Sequence, residues 1–144
     1  YIMANGPDGL RQTTEDAVLN ANYIKERLKP YYDLPYDQTC MHECVFSASR
    51  QAAGGVHAID IAKCLIDRGY HPPTVCFPLI VKEAIMIEPT ETESRQTLDA
   101  FAETLFRITE ESSDLLHEAP HATLISRPDE VRAAKQPTMR WKPA

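Results

Sequence analysis

The stretch His57–Phe77, HAIDIAKCLIDRGYHPPTVCF, decides the fold. Its first half repeats apolar residues at the spacing of one face of an α-helix, which ends near Asp67. The apolar stripe consists of Ala58, Ile61, Ala62 and Leu65. Gly69 stands where a left-handed C-terminal cap is favoured, and two prolines then stiffen the turn. The β-rich run Thr74–Phe77 follows, so the stretch predicts a helix that turns back into a short strand.

On the N-terminal side the same reasoning predicts one helix and one strand. Apolar residues at helical spacing predict an amphipathic helix over Leu10–Leu28, which Pro30 ends because its ring cannot continue the hydrogen-bond ladder. Cys40–Ser47 is short and rich in strand-forming residues, and it predicts a strand. The segment Gln51–Gly55 is typical of a loop with a Gly-Gly turn.

On the C-terminal side Ala84–Glu88 predicts a second short strand after Thr74–Phe77. Thr90–Glu93 matches a capping box, which would open a long helix ending near residue 112. We expect a domain over residues 1–118 and a polar tail over 119–144 with a short helix at Glu130–Ala134. The tail is expected to dock on this domain or on a larger domain outside this sequence. The element order predicts an α/β (α+β) sandwich with a small sheet and helices on one face.

Composition narrows the class of protein. The chain has 144 residues, 43% of them hydrophobic and 25% charged, which fits one globular domain. Its net charge of −6, with lysine and arginine scattered, argues against binding to nucleic acid or anionic membranes. No secretory signal pattern is present, and four cysteines without C-x-x-C pairs are typical of reduced thiols in the cytoplasm. Two disulfides are the alternative.

The segment Cys40-Met41-His42-Glu43-Cys44 could carry a metal site. In a strand, alternation would place Cys40, His42 and Cys44 on one face, where zinc could take His71 or Cys76 as a fourth ligand. The spacing is not a common zinc pattern. The alternatives are buried thiols beside a hydrogen-bonded histidine, or a His42 that faces a ligand site.

Two other segments could have a functional role. The prolines after Gly69 would hold His71 and Thr74 in fixed directions, although a simple helix-to-strand turn explains them equally well. Glu88 ends a strand before a helix N-terminus, but Glu91 and Glu93 make a phosphate site there unfavourable. The sequence has no glycine-rich phosphate loop, G-x-S-x-G or H-E-x-x-H motif, and local chemistry alone does not indicate a self-sufficient enzyme.

Five long strings of this sequence resemble the glycine dehydrogenase (decarboxylating) family, the P-protein of the glycine cleavage system, and in particular the C-terminal part of subunit 2 of its bacterial two-subunit form. The most specific are the HPPT and EPTETES stretches within Asp60–Val81 and Glu83–Ser94. The others are Leu19–Leu28, Asp33–Ser47 and Ala119–Trp141, so the resemblance covers nearly the whole chain.

The resemblance implies a pyridoxal 5'-phosphate enzyme of the aminotransferase-like fold, fold type I. Such an enzyme decarboxylates glycine and passes the aminomethyl group to the lipoyl arm of H-protein, with subunit 1 as its other partner, in the bacterial cytoplasm. The family's Schiff-base lysine lies in a His-Lys motif upstream, which this sequence lacks. We therefore expect the C-terminal small domain of a longer subunit, inactive alone and without bound cofactor. The lysines in other contexts are Lys25, Lys29, Lys63, Lys82, Lys135 and Lys142.

Site residues follow from the resemblance only as candidates. Cysteines at positions 44, 64 and 76 depart from the family pattern, which weakens the zinc hypothesis, and we expect no metal and no catalytic residue here. His42, Glu43, His71 and Thr74 are the candidates to face the substrate cleft, for the substrate carboxylate or the lipoyl arm. A domain taken from a larger subunit should expose an apolar patch, beside the helix Leu10–Leu28 or on the outer sheet face, and tend to self-associate. The alternatives are the small domain of another fold-type-I enzyme and a free-standing zinc-stabilised module.

Overall fold

Three short strands form an antiparallel sheet in a computed structural model that describes residues 1–141. The strands are β1 (Cys44–Ser47), β2 (Thr74–Val75) and β3 (Ala84–Ile87), and β3 lies between the other two. The structure is therefore a small α+β domain, as the sequence predicts at this coarser level.

Helices cover one face of the sheet. α1 packs along α4 and against β1, while α3 contacts β2, α4 and α5. None of the helices within residues 1–141 is both long and apolar enough to cross a bilayer. The helices are α1 (Ile2–Leu28), α2 (Ser49–Ala53), α3 (Ala58–Asp67), α4 (Arg95–Glu110), α5 (Ser113–Glu118) and α6 (Glu130–Lys135).

The strand register explains which sheet face is buried. Cys44 lies opposite Ile87 and Phe46 lies opposite Ile85, so these four side chains share one face. All four are buried in the main core with the helices. Val45, on the opposite face, is only half-buried. The expectation of helices on one face agrees with this arrangement.

The strand predicted from Cys40 is wrong in its first half, because β1 begins at Cys44. The Asn22 side-chain oxygen accepts the Cys40 N–H (3.1 Å), and its amide donates to the Cys40 carbonyl (2.8 Å). Lys25 Nζ donates to the Gln38 carbonyl at 2.9 Å. Side chains of α1 thus take the backbone groups that a strand partner would need, and the expected alternation of Cys40, His42 and Cys44 on one strand face does not occur.

Other element boundaries also differ from the prediction. The predicted loop Gln51–Gly55 is largely α2, which ends at the Gly-Gly pair. The capping box at Thr90–Glu93 is wrong, since α4 begins after Ser94, whose hydroxyl accepts the Thr97 N–H at 3.1 Å. The strand predicted over Thr74–Phe77 ends at Val75, because the next residue has φ 60°. The short helix α5 was not predicted.

The segment after α5 lies along α3 and is held at both ends of that helix. The carboxylate of Asp67 accepts the N–H groups of His121 (2.6 Å) and Ala122 (2.7 Å). The buried Asp60 pairs with Arg127 at 2.7 Å. Two aspartates about two helical turns apart therefore fix the path of the chain as far as Arg127. Trp141, farther along, is exposed.

Tyr32 joins the segment after α1 to α4 inside the core. Its hydroxyl donates to the Leu105 carbonyl at 3.0 Å, and its ring meets Phe46 edge-on, with 6.3 Å between ring centroids. The residue is fully buried, and burial raises the pKa of its hydroxyl above the usual value. The hydroxyl thus stays neutral and hydrogen-bonded.

Replacing Tyr32 by phenylalanine should lower the free energy of unfolding by about 1 kcal/mol, because one buried hydrogen bond is lost without a large cavity. Urea unfolding measures the change. The matched control is Tyr36→Phe at a half-exposed tyrosine, which we expect to be neutral. Equal effects of the two substitutions would contradict the role given to the Tyr32–Leu105 bond.

Glu83 connects the N-terminus of α3 to the sheet. Its carboxylate accepts the Ala58 N–H at 2.9 Å and lies 3.0 Å from His57 Nδ1, while its backbone carbonyl accepts the Ala48 N–H at 2.9 Å. Desolvation alone would raise the pKa of this carboxyl. The bonds from Ala58 and His57, with the nearby charges, outweigh it and hold the pKa below its usual value of 4.5.

A group whose pKa falls on folding stabilises the protein above its unfolded pKa, and this contribution disappears as pH falls through the lower, folded pKa. Glu83→Gln should therefore cost about 1 kcal/mol near neutral pH, the usual worth of a helix cap. The difference from the unmodified chain should shrink below pH 4.5. Urea unfolding at several pH values measures it, with the exposed Glu110→Gln as the control. A difference that does not change with pH would contradict the assignment.

Candidate functional site

The antiparallel strands gather the chemistry-bearing residues at the two ends of the sheet. At one end, which we call the Glu88 end, the start of β1, the end of β3 and the turn before β2 meet. At the other, the loop end, residues 76–83 connect β2 to β3 beside the end of β1. Each end has a groove.

The groove at the Glu88 end, called the cleft below, has a volume of about 380 Å³. Apolar side chains of α1, α4 and the Pro-Pro turn line it, and Tyr70 meets Phe101 edge-on with centroids 5.3 Å apart. Its lining also includes His71, Thr74 and Glu88. The cleft is therefore an apolar channel with polar groups among its lining.

The structure brings the sequence candidates to this one end of the sheet. His71 and Thr74 line the cleft. His42 and Glu43 do not line it, but their side chains lie beside Glu88, with nitrogen and oxygen atoms all within 4.8 Å of one another. Their gathering depends on the antiparallel pairing that sets the start of β1 against the end of β3.

Sequence reasoning missed the apolar half of this site. Phe101 belongs to the apolar stripe predicted for α4, but its position gave no sign that the ring also lines a cleft. Tyr70 was not predicted to have a role. Its aromatic ring, two positions before the Pro-Pro turn, was the feature of the sequence that could have indicated one.

The charges of the cleft restrict what it can bind. Glu88 and Glu93 both line it, and no lysine or arginine among residues 1–141 does so. A free carboxylate would meet two carboxylates and only His71 as a group able to carry a positive charge. An extended, largely uncharged ligand fits this lining better, because the rings can pack on methylene groups while the hydroxyls bind polar atoms.

The groove at the loop end has the opposite character. Arg50 and Lys82 line it together with Asp33 and two serines. Arg50 Nε lies 2.5 Å from the Asp33 carboxylate, and the same guanidinium donates to the Pro30 carbonyl at 3.2 Å. Sequence reasoning missed this groove, because its two cations are 32 positions apart and meet only through the pairing of β1 with β3.

The cysteines do not form a metal site. All four are free, so the alternative of two disulfides is wrong. The Cys44 sulfur is buried 3.8 Å from the Ile87 carbonyl, and Cys64 is likewise buried. Among the described residues, the group of possible metal ligands that lie close together is His42, Glu43 and Glu88, which contains no cysteine. The geometry gives no support to zinc held by Cys40 and Cys44.

The lining of the cleft does not fit a bound pyridoxal phosphate. Such a cofactor needs a lysine amine in its site to form an imine. Lys25 is buried and donates to the Gln38 carbonyl, and Lys29 pairs with Asp37 at 2.5 Å. None of the five lysines within residues 1–141 lines the cleft.

Comparison with known proteins finds one matching family and relatives that share one name. A family model described as "Glycine dehydrogenase, C-terminal domain" matches residues 13–126. A relative from Bacillus velezensis, named probable glycine dehydrogenase (decarboxylating) subunit 2, is 57% identical over 145 residues that cover 99% of this chain and 30% of the relative. Proteins of the same name from Rhodopirellula baltica and Lysinibacillus sphaericus are each 56% identical, over 100% of this chain and 29% and 30% of their own lengths. The chain thus spans about 30% of the relatives' length.

The four thiols should differ in reactivity. Burial raises the pKa of Cys40, Cys44 and Cys64, and it also blocks access to the two fully buried sulfurs, whereas Cys76 is exposed. A thiol-alkylating reagent at neutral pH should label Cys76 first, and Cys44 and Cys64 only after denaturation. Peptide mass spectrometry over time measures the order. Early labelling of Cys44 in the native chain would contradict the burial described above.

Proposed function

The chain belongs to the glycine dehydrogenase C-terminal domain family, and we propose on that premise that it is the C-terminal domain of a bacterial glycine dehydrogenase (decarboxylating) subunit. One observation carries the proposal: relatives of that name match this chain over nearly its whole length, while the chain spans only 30% of theirs. A larger part of the subunit would then supply what these residues lack.

The proposed activity of the complete enzyme is the decarboxylation of glycine, with transfer of the aminomethyl group to the lipoyl arm of H-protein. Pyridoxal phosphate, when bound, supplies an electron sink for the carbanion left by loss of CO₂. Since the lysines described above lie outside the cleft, we place the cofactor in the remaining part of the subunit. In this proposal the chain is catalytically silent alone and walls the active site in the complete enzyme.

The geometry of α1 supports a position beside that active site. α1 is broken at Gly6, whose φ of 62° is not helical, and its first buried residue is Ala21, so most of its length precedes the buried core. The Tyr1 hydroxyl donates to the Glu91 carboxylate at 2.6 Å, next to cleft residue Thr90. The N-terminal end of α1 thus lies close to the cleft, and we propose that the cleft opens toward the remaining part of the subunit.

Within the proposal, the cleft receives the lipoyl arm and not the glycine carboxylate. Its apolar lining suits a chain of methylene groups, and its two glutamates would repel a free carboxylate. The Pro-Pro turn holds His71 and Thr74, whose polar atoms would bind the amide or sulfur end of the arm. His42 and Glu43, beside Glu88, remain candidates for contacts outside the cleft.

Further elements of the proposal follow from the family. Subunit 1 and lipoylated H-protein are the proposed partners, and the bacterial cytoplasm is the proposed location. We treat residues 1–118 as the domain and 119–144 as its tail; residues 142–144 of that tail lie outside the described part of the chain.

The small domain of a different fold-type-I enzyme is not favoured, since the relatives share one name. A zinc-stabilised module is not favoured either, because the cysteines are not gathered.

The test of the proposed function is glycine-dependent CO₂ exchange with H-protein and pyridoxal phosphate. This chain alone should give no exchange. A chimera, in which the chain replaces the matching 30% of the Bacillus velezensis relative and subunit 1 is added, should be active. Exchange by the chain alone would contradict the silent-domain proposal. A folded but inactive chimera would contradict the proposal that this chain is the C-terminal domain of such an enzyme.

Substitution in the cleft tests its role. In the chimera, His71→Ala combined with Thr74→Val should raise the KM for H-protein about tenfold, equivalent to about 1.4 kcal/mol of lost binding. The KM for glycine should stay unchanged, because the cleft does not bind the carboxylate. Thr39→Val, at an exposed threonine outside the cleft, is the control. A rise confined to the KM for glycine would contradict the assignment of the cleft to the lipoyl arm.

A further inference from the structure

Three large apolar side chains project from the loop end of the sheet. Phe77, Leu79 and Ile80 are 53%, 86% and 79% exposed. Single exposed apolar residues are common on protein surfaces, but three within four positions of one loop form a patch. The patch lies at the opposite end of β3 from the cleft.

The loop that carries the patch is fixed at its base. The Cys76 N–H donates to the Ala84 carbonyl at 2.9 Å, and the Val81 N–H donates to the Pro78 carbonyl at 3.0 Å. Val81 is buried, and the buried Ser47 donates its hydroxyl to the Lys82 carbonyl at 2.7 Å. Because these bonds order the loop before any partner binds, docking on it would lose little conformational entropy.

The neighbouring groove extends the patch and adds positive charge. Tyr36 and Ile80 line the groove together with Arg50 and Lys82. We call this surface the loop face; it consists of Tyr36, Arg50, Phe77, Leu79, Ile80 and Lys82. Asp33 lines the same groove and pairs with Arg50, so Lys82 leaves the groove with a net positive charge. In a chain of net charge −6, this face fits a partner whose apolar surface is bordered by carboxylates.

We propose that the loop face docks on the remaining part of the same subunit, the part that makes up about 70% of the relatives' length. This inference rests on the proposed function. It adds a second contact between the two parts, separate from the cleft.

The size of the patch favours a covalently joined partner over a second copy. Separate chains in a stable complex contribute about 20–30 residues on each side, and the loop face has six. A joined partner needs less area, because linkage gives it an effective concentration that can reach the millimolar range. The sheet is also short: four residues at about 3.3 Å each span about 13 Å, so one body beside the Glu88 end also reaches the loop end.

The experiment compares one double substitution in two settings. Leu79→Asp with Ile80→Asp is introduced into the 144-residue chain and into the chimera with the Bacillus velezensis relative. In the chimera, trypsin should release the C-terminal part about tenfold faster, since proteolysis follows the population of the open form. In the chain alone the free energy of unfolding should stay unchanged, because both side chains are exposed there.

A matched pair and a milder variant serve as controls. Leu124→Asp with Ile125→Asp alters two equally exposed apolar neighbours outside the loop face, and the trypsin rate should not change. If the Asp pair destabilises the chain itself, Leu79→Ser alone replaces it, with a smaller rise in the trypsin rate expected in the chimera.

The outcomes separate this proposal from the proposed function. An unchanged trypsin rate in a chimera that carries out CO₂ exchange would overturn the docking proposal and leave the function standing. Faster trypsin release in a folded but inactive chimera would support docking while the proposed function fails. If the chain alone sediments as a dimer that the Asp pair dissociates, the loop face binds a second copy and the proposal is wrong.

Discussion

Burial of one face of a very short sheet is the constraint on which the rest of this structure depends. Strands of four, two and four residues cannot be stable by themselves, so α1, α3 and α4 must cover their apolar side chains. That covering fixes the strand register, since a slip of one residue between β1 and β3 would place Phe46 and Ile85 on opposite faces. Both grooves lie at strand ends, and their positions follow from the same register.

The elements predicted correctly from the sequence are those that bury one face and expose the other. The apolar stripes on α3 and α4 predicted these helices, because every third or fourth residue of each helix packs in the core. The strand from Cys40 was overestimated because Asn22, eighteen positions away, binds the backbone there. The cap of α4 was misplaced because Thr90 and Ser94 both suit an N-cap locally, and only the tertiary path of the chain selects Ser94.

Two of the four candidate residues predicted from the sequence line the cleft, and the charge of the cleft was not predicted. His71 and Thr74 were chosen from a stiff turn, and they do line a cleft. The preference of that cleft for an uncharged ligand depends on Glu88 and Glu93 meeting there without a lysine or arginine among the described residues, which no local pattern indicates. Arg50 and Lys82 were missed for the same reason, since the register of β1 and β3 alone brings them together.

The core and the surface of this domain differ in how well their groups are matched by partners within the chain. Inside, the buried Lys25, Ser47 and Asp60 all have hydrogen-bond partners, so the fold requires no further chain to satisfy these groups. Outside, a fixed loop presents apolar side chains to water, and most of α1 precedes the packed core. Two buried oxygens, Gln51 Oε1 and Glu111 Oε2, have no hydrogen-bond partner within residues 1–141, but the buried charges of Lys25 and Asp60 do. A domain whose buried charges are paired, and whose fixed loop exposes apolar side chains, is suited to fold independently and to join a larger body.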